Sequence, residues 1–145
     1  MPIKNLHVYL NFGGNTEEAF NFYRSVFGGE FSGAVVRFKD MPMEGVKIPK
    51  GDENKIMHMG LKVGETWLMG TDTLESLGHK LVQGNNVHIL IEPDSKDEAD
   101  RIFNMLSAGG KTGMRIADQP WGDYYGSLTD KYGVNWMINY AYPQK

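Results

Sequence analysis

From Asn5 to Phe12 the chain alternates, with His7, Tyr9 and Asn11 on one face and Val8, Leu10 and Phe12 on the other, which predicts a half-buried strand. After Gly13-Gly14 the period changes. Ala19, Phe22, Tyr23 and Val26 recur at i, i+3, i+4 and i+7, predicting an amphipathic helix capped by Asn15, with Glu18 bonding back, and stopped at Gly28-Gly29. A strand is expected from Phe31 to Phe38. The stretch from Lys39 to Asn54 is rich in Pro, Gly and charge, with Met41, Met43, Val46 and Ile48 as its apolar residues. A loop of that length predicts a functional lid or a disordered segment. Two further strands, Lys55 to Val63 and Thr66 to Thr71, meet at Gly64-Glu65.

The pattern then restarts. Asn86, His88 and Leu90 alternate with Val87, Ile89 and Ile91 in a second opening strand. Ser95 and Glu98 form a capping box, Ala99, Ile102, Phe103 and Leu106 repeat the helical stripe, and Gly109-Gly110 repeats the stop. Strands are expected over Lys111 to Ala117, Tyr124 to Leu128 and Val134 to Tyr140. The two halves are echoes about 80 residues apart. They predict an α+β fold: two tandem β-α-β-β-β modules, at about 5–72 and 86–140, joined by a linker at about 73–85 within one domain. If the apolar strand faces (Val8, Leu10, Phe12; Val87, Ile89, Ile91) pack on the helices, the opposite faces line a shared concavity. Those faces carry His7, Tyr9 and Asn11; Trp67, Met69 and Thr71; Asn86 and His88; and Asn135, Met137 and Asn139.

Near the end, Asp130-Lys131-Tyr132-Gly133 predicts a tight turn, with Asp130 bonding its own backbone and Gly133 at positive φ. Together with Trp121-Gly122, Tyr125-Gly126, Val134 and Trp136, and with the early runs Glu17-Glu18-Ala19-Phe20-Asn21-Phe22-Tyr23 and Val26-Phe27-Gly28-Gly29, this stretch resembles the vicinal oxygen chelate superfamily (glyoxalase, bleomycin resistance, extradiol dioxygenase), most closely its PhnB-like branch. The resemblance spans nearly the whole chain. It implies the same duplicated architecture, with curved mixed sheets around a concavity, and a homodimer.

Composition narrows the function classes. A chain of 145 residues with 41% hydrophobic content and a mean hydropathy of -0.42 suits a soluble globular domain. No apolar run approaches a membrane span and the N-terminus lacks a signal-peptide core, so no membrane association and a cytoplasmic location are expected. The absence of cysteine excludes disulfides, thiolate zinc sites and a cysteine nucleophile. A net charge of -3, with Lys and Arg scattered among acids, argues against nucleic acid as a partner. Nine methionines suit an adaptable core or a soft-walled pocket. No glycine pair has the spacing of a phosphate-binding loop, and the glycine-rich S-adenosylmethionine loop of a doubly wound sheet is absent.

In metal-using members of the superfamily, the resemblance implies a His or Gln from the first strand of each unit and a carboxylate from the last. His7 fills the first slot and His88 lies in the corresponding strand of the second unit, but the carboxylate positions fall at Met137 and near Met69. A thioether is a poor ligand for Ni, Zn, Mn or Fe(II). His58, within Met57-His58-Met59, faces the site by resemblance, or is a hydrogen-bonded structural histidine. Trp121 at the rim offers a shelf for a planar ligand, or packs with Tyr125 over glycine in a curved sheet. Two readings follow. The first is a small-molecule binding protein without metal or cofactor, its ligand held among His7, Tyr9, His58, Trp67, Met69, His88, Trp121, Tyr125 and Met137. The second is a divalent-metal-dependent lyase, isomerase or dioxygenase using His7 and His88.

Overall fold

In the computed structural model, which describes residues 2–144, the chain divides into two compact units, one running to Val82 and the other starting at Gln83. The first unit contains β1 (Val8–Phe12), α1 (Thr16–Phe27), β2 (Val36–Arg37), β3 (Ile56–Val63) and β4 (Thr66–Asp72). Its sheet has the order β1-β4-β3-β2, with β1 parallel to β4 and the other pairs antiparallel. The second contains β5 (Ile89–Ile91), α2 (Lys96–Ser107), β6 (Lys111–Thr112), β7 (Ala117–Asp118), β8 (Asp123–Thr129) and β9 (Asn135–Ala141). Its sheet order is β5-β9-β8-β6, β7 also pairs with β8, and the parallel pair is β5 with β9. The echo predicted from the helices is therefore an echo of topology.

Each helix is seated on its sheet by a ring pressed against a glycine. A Cβ on Gly70 of β4 would stand 2.6 Å from the Phe20 ring, and a Cβ on Gly126 of β8 would stand 2.8 Å from Phe103 and from Ile116. Only hydrogen at these positions lets helix and strand approach so closely. In the first unit Ala19, Phe20, Tyr23 and Val26 are buried with Phe12, Met59, Leu61 and Leu68 of the strands. In the second, Ala99, Ile102, Phe103 and Leu106 are buried with Leu128, Trp136 and Ile138. Each fully buried large side chain contributes about 1.5–3 kcal/mol.

Several local expectations are corrected. Phe20, not Phe22, completes the buried arc of α1; Phe22 is half-buried although Ile102, eighty positions on, is buried. The arc of α1 is rotated because Gly70 leaves room for a ring at position 20. Asn15 makes no side-chain cap. Asp72 at the end of β4 caps α1 instead: its Oδ1 accepts from the N–H of Thr16 at 3.0 Å, the Thr16 hydroxyl at 2.6 Å and the N–H of Gly14 at 3.1 Å. Its Oδ2 accepts from the N–H of Ile56 at 2.8 Å. Ser95 caps α2 as expected, accepting from the N–H of Glu98 at 3.1 Å.

The strand expected over Phe31 to Phe38 shrinks to Val36–Arg37 with a single bridge from Phe31 to Leu61, because Gly33 takes φ +56° and a bulge follows Val36. The strand expected from Asn86 keeps only Ile89–Ile91, and Val87 is 70% exposed rather than packed on α2. The strand from Lys111 to Ala117 breaks into β6 and β7. The Asp130 turn forms as read: Gly133 has φ +91°, and Asp130 Oδ1 accepts from the N–H of Tyr132 and of Val134 at 2.8 and 3.0 Å. Its Oδ2 accepts from Trp136 Nε1 at 2.9 Å, tying the turn to the core.

Candidate functional site

The glycine–ring contacts define which sheet faces stay open. Gly70 points its Cβ direction at α1, so Trp67, Met69 and Thr71 project from the opposite face of β4. Register then fixes their neighbours. Tyr9 pairs with Met69 and Asn11 with Thr71 across β1, while Gly60 pairs with Met69 and Lys62 with Trp67 across β3. His58 shares this face with Gly60 and Lys62.

The face is organised by two histidines. The Tyr9 hydroxyl lies 3.0 Å from His58 Nδ1, with the two rings 5.7 Å apart and tilted. Tyr9 therefore reaches past Met69 from β1 to β3. Partial burial raises the Tyr9 phenol above its ordinary pKa. The second histidine, His7, accepts the backbone N–H of Trp67 on Nδ1 at 3.0 Å. Lys62 places its ammonium 5.8 Å from the centre of the Trp67 ring, a cation at the end of the face that alternation along β3 encodes but that carries no motif. Five sequence-derived candidates thus share one surface: His7, Tyr9, His58, Trp67 and Met69.

In the second unit, Gly126 marks the α2 side, so the open face carries Tyr125 and Ser127 from β8 and Met137 and Asn139 from β9. Met137 sits between Ser127 and Leu90, which is 53% exposed; the pairing of β5 with β9 sets Leu90, already in alternation with Asn86 and His88, beside Met137. Trp121 lies edge-on to Tyr125 at 5.8 Å and is 61% exposed, a rim position. His88 is half-buried just before β5. Asn135 does not project freely. It is buried, accepts from the Thr129 hydroxyl at 2.7 Å and donates to the carbonyls of Gly84 and Val87 at 2.8 and 3.2 Å, which anchors the segment leading into β5. Asn139 donates to Asp123 at 3.1 Å.

A cleft of about 330 Å³ lies elsewhere on the first unit, where the start of α1 meets the segment before β3. Both of its cations are paired: Arg37 with Glu17 at 2.7 Å, and Lys55 with Asp52 at 2.8 Å. Asp72 at its floor is consumed by the helix cap. The chemistry-bearing residues are on the open sheet faces, and this cleft is a product of the capping arrangement.

Within its described residues, neither unit by itself groups donors that fit a divalent metal. The carboxylate positions implied by the family resemblance fall at Met137 and near Met69, and thioethers supply no charge to offset an ion. Among the described residues, no three His, Cys, Asp or Glu side chains are grouped so as to hold one. Among the described residues, no helix is long and apolar enough to cross a membrane.

Comparison with known proteins agrees with this architecture. The family model described as 3-demethylubiquinone-9 3-methyltransferase matches residues 4–139. The crystal structure of protein PA1353 from Pseudomonas aeruginosa is similar at 34% identity and a TM-score of 0.83, covering 96% of this chain and 98% of that one. A putative 3-demethylubiquinone-9 3-methyltransferase, the PhnB protein from Bacillus cereus, is similar at 25% identity and a TM-score of 0.75, over 95% and 100% of the two chains. A glyoxalase/bleomycin resistance protein/dioxygenase family enzyme from Burkholderia phytofirmans shares the fold at 18% identity and a TM-score of 0.62, over 92% and 97%.

Proposed function

We propose that this chain, which belongs to the PhnB-like 3-demethylubiquinone-9 3-methyltransferase family and has the glyoxalase/bleomycin-resistance fold, is a metal-independent small-molecule binding protein. The observation that carries this reading is the open face of the first unit. There the Tyr9–His58 contact at 3.0 Å brings a phenol and an imidazole together over Met69, with Trp67 and His7 beside them. An aromatic surface, a polarisable thioether and a few polar groups suit a largely apolar, planar molecule carrying oxygen atoms.

The methyl transfer named in the family description has no counterpart in this reading. The parallel pairings, β1 with β4 and β5 with β9, lie in separate sheets, and neither sheet is the doubly wound kind that carries a glycine-rich cofactor loop. Assembly as a homodimer in the cytoplasm belongs to the same proposal; sedimentation of the purified chain reads the assembly.

The test is chemical-shift mapping with a panel of planar carboxylates and quinone-like molecules. Binding should move the resonances of Tyr9, His58, Trp67 and Met69 together. A panel that moves none of them, or that binds only at the cleft near Arg37, overturns the proposal.

A further inference from the structure

The hydrogen bond at His7 states which nitrogen of the ring carries a proton. A backbone N–H can only donate, and the Trp67 amide donates to Nδ1 at 3.0 Å. Nδ1 therefore offers its lone pair, and in the neutral ring the proton must sit on Nε2. A histidine that ligates a metal is arranged in the opposite sense: its outer nitrogen donates N–H to a carbonyl or carboxylate, which leaves a lone pair on the ligating nitrogen. At His7 the backbone of β4 has taken the lone pair that orients the ring, and the remaining nitrogen bears hydrogen.

The bond also fixes the ring in space. His7 stands one residue before β1, in alternation with Tyr9 and Asn11, and its partner amide belongs to Trp67, whose side chain is on the same open face. The pairing of Val8 with Leu68 holds the two backbones in parallel register at this point, so the bond is set by the sheet. The ring cannot turn over without leaving the Trp67 amide, in a half-buried position, without its acceptor.

We infer that His7 is held as an Nε2–H donor for a carbonyl or carboxylate oxygen of a bound molecule, and that it is not a metal ligand. The inference rests on the small-molecule reading for the identity of its partner, and on the Trp67 hydrogen bond alone for the state of the ring. It also names a substitute. The glutamine side chain offers an acceptor and a donor on one planar group, so His7→Gln can keep both contacts, whereas His7→Leu keeps neither.

Long-range proton–nitrogen correlation of the imidazole rings tests the state directly, on the intact chain at a pH where the rings are neutral. The expected spectrum for His7 is that of a single Nε2–H tautomer, unmoved by one equivalent of Zn²⁺. Benzoate serves as the oxygen-acceptor probe and should shift the Nε2–H signal. His7→Leu should weaken benzoate about tenfold, the worth of one hydrogen bond to a charged acceptor, and His7→Gln should recover most of that loss. An Nδ1–H tautomer, or a His7 signal that follows Zn²⁺, overturns the inference while leaving small-molecule binding intact. An Nε2–H ring on a face that responds to no small molecule upholds the donor state and sinks the binding proposal instead.

Discussion

The Tyr9 hydroxyl and His58 Nδ1 meet at 3.0 Å although their residues lie on strands separated by β4. Tyr9 is 46% exposed, so its ring contributes little to the core. Tyr9→Phe should therefore change unfolding free energy by no more than about 1 kcal/mol, the usual worth of one hydrogen bond. The same substitution should lower affinity for any molecule seated on this face. Calorimetric titration beside a denaturation curve separates the two effects, and a large stability loss with unchanged affinity would contradict the assignment.

Gly70 and Phe20 make a sharper case. A methyl group at position 70 would press on a ring that is fully buried and has no room to withdraw. Gly70→Ala should cost about 1–3 kcal/mol by overpacking. Adding Phe20→Leu to Gly70→Ala should cost less than the two single changes summed, because the smaller side chain vacates the space that the methyl group needs. Strict additivity in urea denaturation would mean that the glycine serves some other purpose.

The helices offer a comparison within one molecule. Phe20→Ala and Phe103→Ala should each lose about 3–5 kcal/mol, since each removes a buried ring from a filled interface. Phe22→Ala should lose distinctly less, because that ring is only half-buried. Equal losses at Phe20 and Phe22 would restore the arc read from the sequence.

A phenol on β8 supplies a pH dependence. The Tyr124 hydroxyl donates to Asp100 of α2, and this bond, followed by burial and the carboxylate's charge, pushes its pKa up to about 12 from the model-compound value of 10.0. A raised value means that the folded state holds the proton more tightly than the unfolded chain does. The contribution to stability is complete below about pH 10 and disappears as pH rises through about 12. Denaturation curves across that window should steepen their loss in the native chain and show a smaller pH effect in Tyr124→Phe.

The architecture was legible because two independent periodicities, in the strands and in the helices, occurred twice in the same order. Both glycine stops and the Ser95 and Asp130 devices are local, so spacing alone exposes them. What stayed hidden depends on distant partners. The choice of Phe20 over Phe22 is made by Gly70, fifty residues on. The cap of α1 comes from Asp72 and not from its neighbour Asn15. The candidate residues followed the same division: alternation placed His7, Tyr9, Trp67 and Met69 on one face and also encoded the facing of Lys62 and Leu90, while only strand register set Lys62 beside Trp67 and Leu90 beside Met137. The Nδ1 bond of His7, which fixes the state of its ring, spans 60 positions.

Asp72 sets an order of events during synthesis. Its carboxylate binds Thr16 from 56 residues downstream, so α1 emerges from the ribosome with its first amides open to water. The helix can fray until β4 has been made, and the N–H of Ile56 waits for the same oxygen pair. One late residue thus completes the beginning of the helix and the beginning of β3 together. A chain that stops short of Asp72 lacks the group on which both beginnings hang, and that group is the last residue of β4.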